Sequence, residues 1–383
     1  MALKYLYVPS GYKATTAYGV LPNVAAADFS FTRGSAGFRV NSDGLLESEL
    51  SDVPRLDYTD SSCPSLLLEA SKTNLVIYSE NFTGWNVAGT PTVTENATLD
   101  PKGGNNGTLL SLGSSSALFR TANFSAEPTT FSVYLKSPTV AGTYPLNWYA
   151  SNGGAHHREL VNVTTEWQRF ELNFTPTGLG TRYVYVGDNR DGIGGTLSSV
   201  YVWGAQVESS SKATSYIKTE ADVITRSADT GIVTSDLSSY INSTEGVLEV
   251  KMSRFEGIPS TEQSWISLSA SETNDDNSVS VGFTGLNTTL AHFIKSSDVD
   301  VTTPTTSQVT EDLSQINVIK LKWKDGDFQA KIGNTTINLS AGAGSLPFAS
   351  TLKYLRIGYP SYSAGAFKGN IQYIKVYDSA TDF

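Results

Sequence analysis

The sequence predicts an all-β protein, and three observations carry that prediction. Charged residues are 17% of the 383, well under the roughly 25% of average soluble domains, while aromatics reach 11%. Gly, Ser, Thr and Asn fill the gap, as expected of many short strands joined by many turns. Long stretches also alternate apolar and polar residues with a period of two, and no heptad repeat or strongly amphipathic helix breaks the pattern. A chain of 383 residues exceeds one ordinary core and predicts two or three domains.

Taken in order, residues 1–78 mix short apolar pieces with turns such as "VPSGY", "RGSAGF" and "NSDGLL". They hold no long periodic segment and read as an extended N-terminal arm. Within them "SLLLEASKTNLVIYSENFTGW" stands out. It begins like a core strand, is broken by Glu69 and Lys72, and ends on Trp85.

Alternation becomes regular over 79–222. "TFSVYLKS" puts Phe131, Val133 and Leu135 on one face; "RFELNF" does the same for Phe170, Leu172 and Phe174. "RYVYVGD" and "SVYVWGAQVE" follow after turns, so this region reads as an antiparallel sandwich with one buried face per sheet. A second β unit fills 223–383. Its clearest part is "NVIKLKWKDGDFQAKIGNTTINLS": Ile319, Leu321 and Trp323 alternate with lysines, Asp325-Gly326 makes a hairpin turn, and Gly333-Asn334 marks another. Helix is expected only in short pieces such as residues 234–241.

The net charge of −10 and the absence of any Lys/Arg-rich run predict no nucleic-acid partner. One cysteine, Cys63, excludes internal disulfides and is expected to be a buried apolar filler in a protein made in a reducing cytoplasm. The opening residues lack a signal-peptide core, and no run of about 18 apolar residues exists, so no membrane insertion is expected.

Several constellations could carry chemistry. "AHHRE" places His157 and Glu159 on one face of a strand and His156 on the other, too few ligands for a metal without help. His292 reads as half-buried packing. "VGDNRDGIGG" offers Asp188 and Asp191, and "SETNDDNS" offers Asp275 and Asp276; oxygen-rich loops of this kind suit calcium, but Asp, Asn and Gly are also ordinary turn residues. Serine-nucleophile and phosphate-loop motifs are missing. Glu159, Glu166 and Glu171 read as exposed strand residues rather than as a glycosidase pair. Sugar binding needs aromatic platforms facing solvent. "YPLNWYASN" offers Tyr144, Trp148 and Tyr149; "IGYPSYSAGAF" offers Tyr359 and Tyr362. Trp148 fits core and surface equally, whereas Trp167, Trp203, Trp265 and Trp323 fall within apolar alternation and are expected in the core. Tyr-rich loops equally suit a protein–protein contact.

Two segments resemble a known family. "FTRGSAGFRVNSDGLLESELSDVPRLDY", continued by "CPSLLLEASKTNLVIYSENFTGW", and "VYVWGAQVESSSKATSYIKTEADVITRSAD" are similar to a module of tailed-phage fibre, spike and related virion proteins. The likeness covers roughly residues 28–230. It implies a carbohydrate-binding-module-like jelly roll over 79–222, with "PSLLLE" docking the arm onto it and "TNLVIYSENFTGW" forming its first strand. The last part resembles concanavalin A-like, laminin-G-type sandwiches through "GVLEVKM", "IKLKWKDGDFQAKIGN" and "FKGNIQYIKVYD". Calcium is common in both relatives. The resemblance further implies a virion protein assembled in the bacterial cytoplasm. Its partners would be other virion proteins, copies of itself (a trimer by analogy) and a bacterial surface glycan held by many weak sites. A decoration without a ligand and a polysaccharide depolymerase are the competing readings.

Overall fold

The computed structural model describes residues 2–13, 16–22, 28–122, 127–150, 156–175, 182–190, 194–233, 235–255, 263–284, 288–303, 305–358, 367–381 and 383. They are built from antiparallel strands, with a single 3-10 turn at Phe82–Gly84 and no α-helix among the described residues. At residues 235–241 there is one hydrogen-bonded turn, Ile241 N–H to Leu237 O at 3.1 Å, where a short helix was expected.

Two compact units emerge. One comprises residues 43–48 and 72–226, the other residues 1–42, 49–71 and 227–383. The first is a sandwich of two five-stranded sheets. One sheet runs in the order Thr92–Thr98, Gly107–Ser111, Ser199–Glu208, Thr129–Lys136, Gln168–Phe174. The other runs His156–Val163, Gly142–Ala150, Arg182–Asp188, Ala117–Ala122, Asn86–Ala88. The period-two pattern explains the core between them: Phe131, Val133, Leu135 and Leu172 come from one sheet, Leu146, Val184 and Val186 from the other.

The chain enters this unit through "TNLVIYSENFTGW", though only its first residues are strand. Buried Asn74 fixes the entry. Its amide donates to the carbonyls of Ala205 (3.1 Å) and Ile217 (2.8 Å), and its oxygen accepts from the N–H groups of Val207 (3.0 Å) and Val76 (3.2 Å). Four bonds satisfy the group, so its burial carries no desolvation debt. Val76, Phe82 and Trp85 then enter the core.

The second unit is where the expected arm is found, and it is not an arm. Its strands form one continuous antiparallel path. Thr335–Asn338, Gln329–Ile332, Asn317–Lys324, Glu245–Arg254 and Gly369–Tyr377 make the first part. The path continues through Leu3–Lys13, Thr16–Leu21 and Phe29–Thr32. It ends in Thr230–Ile232, Tyr354–Ile357, Gln263–Ser269, Ser278–Thr284 and Thr289–Ser296. The three N-terminal strands thus join the two halves of this sandwich, and Tyr5, Tyr7, Phe29 and Phe31 lie in its core. "SLLL" also belongs here: in Ser65–Leu68, residues 66–68 pair with residues 369–371 of this unit's own sheet. The hairpin read from "WKDGDF" is present, with Gly326 at φ +72°, a left-handed conformation that glycine adopts without strain.

The motif residues of the N-terminal segment meet inside this unit. Arg55 pairs with Glu69 (2.7 Å) and with Asp229, and Arg33 with Asp229 (3.2 Å), all with side chains at most 3% exposed. Arg33 also donates to the carbonyls of Ser35, Leu50 and Val53, and the backbones of Glu69 and Asp229 bond to one another or to the Asp229 carboxylate.

Candidate functional site

The outer face of one jelly-roll sheet gathers aromatic side chains. Tyr149 lies opposite Tyr183, and Tyr185 lies opposite both Asn147 and Phe119. Residues directly opposite share a face, so Phe119, Tyr183, Tyr185 and Tyr149 line one surface across three strands, about 10 Å wide. Phe119 stands 5.2 Å from Tyr185 and 5.8 Å from Tyr183; Tyr183 stacks against Tyr149 at 6.1 Å and 29°. Tyr185 is the buried floor, while Phe119, Tyr149 and Tyr183 are half exposed.

Polar groups edge this surface. Asp188 is held by the Arg190 guanidinium (2.8 and 2.7 Å) and by the Asn147 amide (3.3 Å). Burial pushes the Asp188 carboxyl up, but Arg190 outweighs it and holds the group below the usual carboxylate range. Arg190 also lies 5.1 Å over the Tyr185 ring. Arg158 donates to Asn147 Oδ1 (3.3 Å) and to the Asp188 carbonyl (3.0 Å). The rings offer flat apolar area, and the exposed Arg190 guanidinium offers directed donors at its rim, while buried Asn147 braces Asp188 from below. That combination can hold a sugar ring by its face and its hydroxyls by the edge.

Of the residues read from the sequence, Tyr149 belongs to this surface and Tyr144 and Trp148 do not. They point into the core, where Trp148 stacks on Phe174 at 4.4 Å and Tyr144 is fully buried. Gly187 makes room for Tyr144: a Cβ there would lie 2.3 Å from its hydroxyl. Tyr359 and Tyr362 lie outside the described residues, as does Asp191. Phe119, Tyr183 and Tyr185 were missed, although "RYVYVGD" carried the signal. Its valines point inward, so its tyrosines must point outward.

The other expectations divide. Trp203, Trp265 and Trp323 are buried, but Trp167 is only half buried and donates to Leu99 O at 2.8 Å. Cys63 is exposed, because the turn-rich stretch before Ser65–Leu68 never enters the core. His157, Glu159 and Glu166 are exposed, and Glu171 accepts from Ala213 N–H. His292 is fully buried instead of half-buried: Nε2 bonds Ser307 Oγ at 2.9 Å and Nδ1 has no partner among the described residues. The carboxylates of Asp275, Asp276 and Asp298 come within 4.8 Å of one another. The Lys295 ammonium joins two of them, 2.9 Å from Asp275 and 3.1 Å from Asp298, and supplies positive charge to the cluster.

No family model matches the chain, and no curated protein matches it. Among solved structures it is similar to the carbohydrate-binding module TmCBM61 in complex with β-1,4-galactotriose. There the identity is 16% and the TM-score 0.25, over 33% of this chain and 88% of the other. It is also similar to the tandem CBM22 modules of Paenibacillus barcinonensis Xyn10C, at 11% identity and TM-score 0.28 over 82% of this chain and 99% of the other. Domains LG4-5 of the mouse laminin α1 chain follow, at 9% identity and TM-score 0.26 over 78% and 93%.

Proposed function

We propose that this chain is a glycan-binding surface protein of a tailed-phage particle, a fibre, spike or decoration, and that the Phe119–Tyr149–Tyr183–Tyr185 face makes the glycan contact. The aromatic face carries the reading. Three half-exposed rings on adjacent strands, over a buried fourth and beside Arg158 and Arg190, form a surface that a folded core has no need of. The virion setting is supported by the sequence resemblance of residues 28–230. Each site would be weak, and several copies on one particle, a trimer by analogy, would make it sufficient. Calcium at the Asp275–Asp276 loop stands as a further proposal: Asp298 from a neighbouring turn adds a third carboxylate, and the ion would take the place of the Lys295 ammonium that now bridges two of them.

The test incubates the purified protein with a panel of bacterial surface polysaccharides and scores retention together with release of reducing ends. Retention without release is expected. The Tyr149→Ala/Tyr183→Ala variant should bind at least about thirtyfold more weakly, the scale of losing a central aromatic anchor. Release of reducing ends would replace this reading with a depolymerase. Full-strength retention by the folded variant would move the contact off this face.

A further inference from the structure

A second surface, in the other unit, carries a charge pattern at odds with the acidic chain. On the outer face of its sheet, Lys331, Lys320, Glu249 and Lys375 stand in one row across four neighbouring strands. Lys251 lies two residues along from Glu249, and Lys322 two along from Lys320. Lys324 follows in the same alternation, so six lysines share a face on which Glu245, Glu249 and Asp327 supply the paired carboxylates, in a chain of net charge −10; Lys322 is itself buried beside Asp327.

Two features separate this row from an ordinary solvated face. Lys320 and Lys331 are directly opposite one another, a like-charge pairing that costs a ladder stability. Glu249 relieves only part of the repulsion, since it pairs with Lys320 (3.1 Å) and Lys375 (3.2 Å). Its side chain is 7% exposed, while those two lysines are 24% and 26% exposed: the carboxylate is buried beneath them and their ammonium groups reach solvent. Lys375 Nζ also sits 4.1 Å over the Tyr373 ring, a cation–π contact that holds the ammonium on this face.

We propose that this face binds an anionic polysaccharide, one bearing a carboxylate, phosphate or sulfate on each sugar or each second sugar. The spacing selects the polymer. Neighbouring strands are about 4.8 Å apart, so the row presents cations at intervals of about 5 and 10 Å along a straight line. A nucleic-acid duplex carries a charge every ~1.7 Å of its axis and calls for a denser array. A charged glycan chain laid across the strands meets Lys331, Lys320 and Lys375, with the ion-paired Glu249 between the last two.

The test uses the full chain with immobilised polygalacturonate, neutral dextran and a short DNA duplex. Binding to polygalacturonate at low salt that falls as salt rises, with dextran not bound here, is the expected result. Lys251→Gln/Lys331→Gln, which leaves both Glu249 ion pairs in place and relieves the Lys320–Lys331 repulsion, should hold or raise the thermal midpoint and weaken binding about tenfold, two exposed ion pairs' worth. Tyr149→Ala/Tyr183→Ala should leave this binding unchanged, which separates the two surfaces. Salt-insensitive or absent binding, or a double variant that binds like the parent, would overturn the proposal. So would tighter binding of the duplex, or an oligomer in sedimentation that the double variant dissociates, since another copy would then occupy the face.

Discussion

Trp148 and Tyr149 are neighbours in sequence with opposite fates, because successive side chains of a strand point to opposite faces. Trp148→Ala should empty a stacked core position and cost about 3–5 kcal/mol of stability in urea unfolding, whereas Tyr149→Ala should leave stability nearly unchanged and weaken glycan retention. His292 adds a pH dependence. Burial holds its pKa down at about 4, against 6.5 in an unfolded chain, so the unfolded state binds the proton first. Its contribution is complete above pH 6.5 and is lost as pH falls toward 4. By pH 5 the loss should reach about 2 kcal/mol, read by urea unfolding at stepped pH. His292→Gln should flatten that slope; a parent protein as stable at pH 5 as at pH 7 would contradict the buried neutral imidazole.

At the scale of elements, the buried ion cluster explains why the N-terminal segment is so dense in Arg, Asp and Glu. Arg33, Arg55 and Glu69 close on Asp229, which arrives about 160 residues after Glu69. Asp229→Ala would remove the carboxylate that two buried guanidinium groups share and should cost about 3–5 kcal/mol, measured by urea unfolding. Asp229→Asn, which keeps acceptor and shape, should cost less. The hairpin at 317–338 was legible because period and turn chemistry are local: three strands, Gly326 and Gly333 fall where the alternation puts them. The role of residues 1–32 was not. Leu3–Lys13 reads as a short apolar piece, and nothing within it reveals that its partner is Gly369–Tyr377, at the other end of the chain. Three of the four residues of the aromatic face were hidden for a related reason. "RYVYVGD" gives the direction of its tyrosines, but their meeting with Tyr149 and Phe119 depends on strand pairings set by the fold.

At the scale of the molecule, two separate cores make two separable stabilities. One core holds Phe131, Trp148 and Val184; the other holds Tyr7, Leu248 and Leu321. Each unit has a hydrophobic core of its own, so each has the makings of a cooperative transition. Scanning calorimetry should resolve two, and the substitutions assign them. Trp148→Ala should lower only the transition of the 72–226 unit, and Asp229→Ala only that of the unit closed by residues 227–383. Moving from pH 7 to pH 5 should shift the second further than the first, because His292 lies in the second unit. If all three changes moved one shared transition equally, the units would be unfolding as a single body. The N-terminal strands sharpen the test. A chain beginning after residue 32 would lose the three strands that join the halves of the second sandwich, yet would keep all ten strands of the jelly roll. It should retain the first transition and glycan retention while losing the second. Loss of both would mean that the jelly roll depends on the second unit to fold.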